Sequence, residues 1–218
     1  MVIPEIQISQ LISTCLSVVK KDYENSTDKE KSLLYIIMSG NSFGKYDFYK
    51  EAVDVIMRGK DHPREVQTRL LFDAQRAGLP TIHITMPSEQ TGGNGIGFDQ
   101  GYVPLTIDKE NGLITHYYNR MFNVQYHIVI TSDNVFEVLM LYHLIKSVFI
   151  SIVDELEFSG IRNPSISGQD LQINGDIVPA GVFIRGIGLS CSYETEIPRI
   201  NQDFLIKAIN IQGVPTQS

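Results

Sequence analysis

Hydrophobic residues return along this chain with two periods, and the longest periodic stretch lies between Asn134 and Leu156. There Val135, Val138, Leu139, Tyr142, Ile145, Val148, Phe149, Ile152 and Leu156 recur at spacings of three and four, which is the period of one helical stripe. His143, Lys146, Ser147, Ser151 and Asp154 fall on the opposite side. The spacing predicts a long amphipathic helix over about 134–157. Asn134 is placed to accept from the first-turn amides, Glu137 to reach back three residues, and Gly160 to supply a left-handed stop. The run approaches membrane-spanning length, but Glu137, His143 and Lys146 would each be costly in hydrocarbon, so a helix buried on a sheet is expected.

Before that stretch, Ile6, Leu11, Ile12, Cys15, Leu16 and Val19 predict a first helix from Pro4 to Lys20, with Pro4 tolerated in its first turn. Leu33 to Met38 is a short continuous apolar run and predicts a central strand covered on both faces. Tyr46 to Met57 suits a helix through Phe48, Tyr49, Ala52, Val53 and Ile56, although its aromatic and β-branched content also suits a strand. Val66, Leu70, Leu71, Ala74 and Ala77 predict a helix from Pro63 to Ala77, stopped at Gly78. Thr81 to Met86 alternates as a strand and is closed by Pro87. Val103 to Ile107, Leu113 to Arg120 and Phe122 to Thr131 read as antiparallel strands, with Asp108 to Gly112 as a hairpin turn.

The cleanest alternation sets Phe122, Val124, Tyr126, Ile128 and Ile130 against Asn123, Gln125, His127 and Thr131. Beyond the long helix, Ser165 to Ile173 and Gly181 to Glu194 predict two further strands. The small residues Gly186, Gly188, Ser190 and Ser192 of the second imply that something packs closely there. These elements define an α+β class, an antiparallel sheet packed against the long helix and further helices. Residues 1–197 form one domain with a glycine-rich loop at 88–101, and 198–218 form a C-terminal arm. The arm carries Phe204-Leu205-Ile206 and Ile209-Asn210-Ile211, apolar enough to suggest donation to a neighbour.

Composition sharpens this picture in two respects. A hydrophobic fraction of 43% in 218 residues is enough for a substantial core. The formal charge of -7 disfavours non-specific attraction to phosphate, which Lys and Arg supply by displacing counterions. Cys15 and Cys191 fall on apolar faces and read as inert buried thiols, and the N-terminus lacks the basic segment of a secretory signal, so residence in a cytoplasm is expected.

Candidate chemistry is sparse. The glycines from Thr91 to Gly97 resemble a phosphate loop only superficially, since neither a Lys-Ser nor a Lys-Thr follows and Phe98 to Pro104 does not start a helix. His62, His83, His116, His127 and His143 stand singly, which gives structural zinc no support. With neither a nucleophile elbow nor a positioned base, the reading is of a non-enzyme without cofactor or metal. Arg185 interrupts an apolar strand face, as a snorkelling arginine or as half of a buried intersubunit ion pair.

The block NVQYHIVITSDNVFEVLMLYHLIKSVF (Asn123–Phe149) and the following SGIRNPSISGQDLQINGDIVPAGVFIRGIGLSCSYETEIP (Ser159–Pro198) resemble, in layout, the strand, long helix and paired strands of tailed-bacteriophage neck proteins. The similarity is greatest to tail-terminator or head-to-tail connector ring proteins, and the style of sequence resembles that of crAss-like phages. It is carried by Ser132-Asp133-Asn134, Ser167 to Gln172, Pro179 to Arg185 and Tyr193 to Pro198. Such a resemblance implies a homo-oligomeric ring of six or twelve copies in the virion, assembled in the host cytoplasm, touching portal, adaptor or tail proteins, letting genomic DNA pass without specific binding, and contacting no membrane. The candidate contacts are Gly93, Asn94, Gly95 and Phe98 of the loop, Arg185, and Phe204 and Ile206 of the arm. The alternative is a small cytosolic adaptor or enzyme of unknown chemistry.

Overall fold

A computed structural model describes residues 3–59, 61–71, 78–92, 103–108, 113–158, 160–169 and 180–198. They belong to two compact units, Ile3–Gln90 with Asn123–Tyr193, and Met1–Val2 with Thr91–Phe122 and Glu194–Ser218. The class is α+β, as the periodicity predicts.

The larger unit begins with α1 (Pro4–Asn25), which buries Pro4, Ile8, Ile12 and Val19 and extends five residues past the expected end at Lys20. Ile8 replaces Ile6 on the core face, and Ile6 is exposed. A 3-10 turn (Lys29–Lys31) leads to α2 (Leu33–Met38). This corrects the expected central strand. The Ser32 hydroxyl accepts from the Tyr35 amide at 3.3 Å as an N-cap, and Leu34 and Met38, four apart, are the buried pair. Six apolar residues in a row thus fold as one and a half turns, with Leu33 and Ile36 facing out.

A hairpin follows, β1 (Ser42–Phe43) and β2 (Tyr46–Asp47), turning at Gly44 with φ 62°. The Asp47 carboxylate then accepts from the Tyr49 and Lys50 amides at 3.0 and 3.3 Å and starts α3 (Phe48–Met57). The ambiguous stretch is therefore a helix after a two-residue strand.

The expected helix over 63–77 is also corrected. Gln67–Leu70 is β3, pairing in parallel with β4 (Thr81–Thr91) through Gln67↔Thr81 to Leu70↔Ile84, and residues 72–77 lie outside the described ones. β4 runs on through Pro87 and includes Ser88 to Thr91, the start of the expected loop.

In the smaller unit β5 (Val103–Asp108) pairs antiparallel with the start of β6 (Leu113–Ser132), as predicted, and the Gly92 amide donates to Met121 O at 2.8 Å. The two strands expected over 113–131 are this one continuous strand. Along β6, Val124, Tyr126, Ile128 and Ile130 are buried as expected, but Val129 and Thr131 on the other face are buried too, so the alternation of burial ends after His127.

The long helix is α4 (Val135–Ser151), interrupted at Ile152 and resumed as α5 (Val153–Phe158). Asn134 caps it as expected, accepting from Phe136 N at 3.0 Å. At the break, the Ser151 hydroxyl donates back to Ser147 O at 2.9 Å, a bond that tends to bend helices, and the Ile152 amide is shared between Val148 O and Phe149 O. Burial exceeds the predicted stripe, because Met140, Leu141 and Leu144 are enclosed too, while Val135 is exposed. β7 (Ile161–Gln169) and β8 (Phe183–Pro198) are antiparallel, with an irregularity between Arg162 and Ser165. The sheet order is β3-β4-β6-β8-β7. The close partner expected beside the small residues of β8 is β7 at one position. A Cβ on Gly188 would come within 2.5 Å of Ser167 Oγ. Ile145, Phe149, Tyr126, Ile128 and Leu189 share one apolar core.

Candidate functional site

Three features of the larger unit concentrate chemistry. The first is a buried ionic clasp at the start of α4. Ser132 and Asp133 end β6 and open the turn into the helix, and Glu137 follows one turn later. The Glu137 side chain is only 1% exposed. Arg58, from the end of α3, reaches its Oε1 at 2.8 Å, and Arg64 reaches its Oε2 at 2.7 Å. The Ser132 hydroxyl also donates to Oε2. Arg64 binds Asp133 with both terminal nitrogens, at 2.9 and 2.7 Å, and Arg58 binds Asp54 at 2.8 Å and Arg64 O at 3.1 Å.

Glu137 is therefore not the local cap expected from its spacing. Its oxygens are taken by two arginines and a serine, and the Asn134 amide donates to Ser132 Oγ instead, at 3.2 Å. The bidentate bonds from Arg64 hold the Asp133 carboxyl below the usual carboxylate range. Burial alone would lower the Arg58 guanidinium, but its bonds to Asp54 and Glu137 outweigh that and raise it. With both oxygens occupied, Glu137 fixes the chain between α3 and β3 against the α4 N-terminus.

The second feature is an apolar groove of about 470 Å³ between the end of α2, the β1–β2 hairpin and the outer side of α4. Phe136 stacks on Tyr46 at 4.3 Å between ring centroids and lies 5.9 Å from Phe43. Phe43, at the hairpin, is 69% exposed, and Ile36 of α2 is 66% exposed. His143 and Ser147 line the same groove. The His143 ring meets Tyr142 edge-on, and Arg185 stands over the Tyr142 face at 4.4 Å. Partial burial, followed by the charges of Arg185 and Lys146, lowers the His143 pKa.

The third feature is the sheet edge at Leu71. Its backbone is left-handed, φ 66°, and its side chain, 73% exposed, is the most exposed large hydrophobic among the described residues. Two bonds hold it there. The Leu71 amide donates to Ile84 O at 2.9 Å, and its carbonyl lies 3.2 Å from Nδ1 of the fully buried His83. A carbonyl can only accept, so Nδ1 donates to it, and on the other side of the ring Nε2 lies 3.3 Å from Thr131 Oγ1, a hydroxyl that donates to Thr81 O at 3.3 Å.

Of the residues singled out from the sequence, Gly93, Asn94, Gly95, Phe98, Phe204 and Ile206 lie outside the described ones. Arg185 is half-buried, with its guanidinium over the Tyr142 ring. Cys191 is buried, which pushes its thiol up to about 11, and Cys15 is half-buried and in no disulfide. His62 Nδ1 accepts from the Arg64 amide at 3.1 Å. No cluster of metal-ligating side chains occurs among the described residues, and none of their helices is long and apolar enough to cross a membrane. The clasp residues Arg58, Arg64 and Glu137 escaped sequence reasoning, because their pairing spans 73 and 79 positions. No protein-family model matches this chain, and no curated protein matches it significantly.

Proposed function

We propose that this protein is a structural subunit of a tailed-phage virion, forming a homomeric ring in the neck or head-to-tail connector through which DNA passes. One structural observation favours an assembling subunit over a self-sufficient monomer. Large apolar side chains are exposed at separate places, Phe43 at the α4 groove, Ile36 on α2, and Leu70 and Leu71 at the sheet edge. A head-to-tail contact needs two such unlike faces and closes into a ring when its rotation allows. The phage assignment itself rests on the resemblance of Asn123–Phe149 and Ser159–Pro198 to neck proteins. A charge of -7 suits a channel that must not retain DNA.

Native mass spectrometry and negative-stain imaging of the full chain, alone and with portal and tail proteins of its phage, test this reading. Closed rings of six or twelve copies are expected. A chain that stays monomeric at every concentration and with every virion partner overturns it.

A further inference from the structure

We propose that the pocket between α1, the end of α3 and the start of β3 binds a small zwitterion with an apolar side chain, a free α-amino acid of the leucine type. Lys20 takes its carboxylate, Glu65 its ammonium, and an aliphatic floor its side chain. The site shares no residue with the α4 groove and does not depend on the ring reading.

The pocket holds about 450 Å³, within the range of small-molecule sites. Leu16 of α1, Val55 and Ile56 of α3, and Val66 supply its apolar floor, and Val55 and Ile56 belong to the buried core, which keeps that floor in place. Ser17 on α1 and Thr68 on β3 add hydroxyls that have no side-chain partner among the described residues.

Two charges of opposite sign line this pocket, and neither is neutralised. Lys20 Nζ donates to Arg58 O at 3.0 Å and to Met57 O at 3.5 Å. Those bonds pin the ammonium at the end of α3, where a surface lysine would otherwise sweep through water, and they leave its third proton unused. The carbonyls at a helix end carry only about half a negative charge between them, and Lys20 has no carboxylate partner among the described residues, so it keeps a net positive field. Glu65 likewise has no cationic partner among them, although Lys20 lines the same pocket. Arg58, the other cation of the lining, is taken up by Asp54, Glu137 and Arg64 O and offers nothing further. A pocket that holds one cation and one anion apart matches a molecule that carries both charges. A simple anion would leave Glu65 unmet, and a simple cation would leave Lys20 unmet. The aliphatic floor then favours an apolar side chain over a polar one.

The test titrates the isotope-labelled full chain with L-leucine and follows the methyl resonances of Val55, Ile56 and Val66. Saturable shifts centred on these residues are expected, with a dissociation constant on the order of 1 mM. Isocaproate, which lacks the ammonium, and isoamylamine, which lacks the carboxylate, should each bind roughly tenfold more weakly. Glu65→Gln should weaken leucine by a similar factor and leave isocaproate unchanged, whereas Lys20→Met should weaken leucine and leave isoamylamine unchanged. Lys20 also holds the end of α3, so Glu65→Gln decides the matter if Lys20→Met disturbs the fold. No saturable shift with leucine, equal binding of the three probes, or equal leucine affinity in Glu65→Gln and wild type overturns the site. None of these outcomes bears on ring formation, which native mass measures separately.

Discussion

Replacing Glu137 by Gln tests whether the ionic clasp stabilises the larger unit. The side chain keeps its shape, but one of its two acceptors becomes a donor. Arg58 is the more enclosed partner, with its side chain 10% exposed against 34% for Arg64. The amide oxygen is therefore best spent on Arg58, and the amide nitrogen then faces Arg64, donor against donor. Arg64 keeps Asp133 and has access to water, which softens the loss. Breaking a buried pair on one side costs about 3–5 kcal/mol, and this partial solvation places the cost at the lower end, about 3 kcal/mol. For a chain of this size that lowers the melting temperature by roughly 6–12 °C. Urea unfolding of Glu137→Gln, Arg58→Met and the double variant supplies the measurement. Removing both charges leaves nothing unpaired between them, so the double variant should be at least about 1 kcal/mol more stable than additivity predicts. A cost for Glu137→Gln under about 1 kcal/mol, or additive single effects, would refute the clasp as a stabilising unit.

The acid side of stability should show Asp133. Its folded pKa is lowered, so its contribution is complete above the ordinary carboxylate value of about 3.9 and is lost as pH falls through the folded value. Asp133→Asn should flatten the fall in urea midpoint between pH 5 and 3, though only slightly because the side chain is half exposed. Ile145 is fully buried, and Ile145→Ala should cost on the order of 2–5 kcal/mol in the same urea assay; a loss below 1 would mean the core repacks around it. Cys191, buried and with its thiol pushed up to about 11, should resist thiol reagents at pH 8 until the protein is unfolded, as counted by mass spectrometry of labelled peptides.

Elements whose pattern is long and whose partners are local were legible in the sequence. β6 alternates from Asn123 to Ile128 before both of its faces become buried, and the Asn134 cap of α4 sits two residues from the amide it binds. Short elements were not. Leu33 to Met38 has too few residues to show a period, and the informative signal was Ser32 just ahead of it. Val66, Leu70 and Leu71 have helical spacing by coincidence, since β3 is a four-residue end strand whose last neighbour points an apolar side chain outward. Glu137 fits a capping box by spacing, but Ser132 and two distant arginines bind it more fully than one backbone amide could. The exposed apolar side chains were hidden for the same reason. Exposure of Phe43, Ile36 and Leu71 depends on which neighbours the fold brings alongside, and spacing carries no record of that.

The place of β6 in the sheet constrains the order in which the chain can mature on the ribosome. Its neighbours β4 and β8 lie on opposite sides of it in the chain, one made before it and one after α4 and β7. The side-chain bond from Ser192 to Asn123, 2.7 Å long, closes a separation of 69 positions. While the ribosome is still adding α4 and β7, the β6 edge that later receives β8 has no strand to pair with. An unpaired central edge rich in Val, Ile and Tyr invites pairing with another nascent chain. Polysomes making many copies side by side are where that hazard is greatest. Slow synthesis through residues 135–182 would prolong it, and a chaperone bound at this stage would protect the strand that the finished sheet encloses.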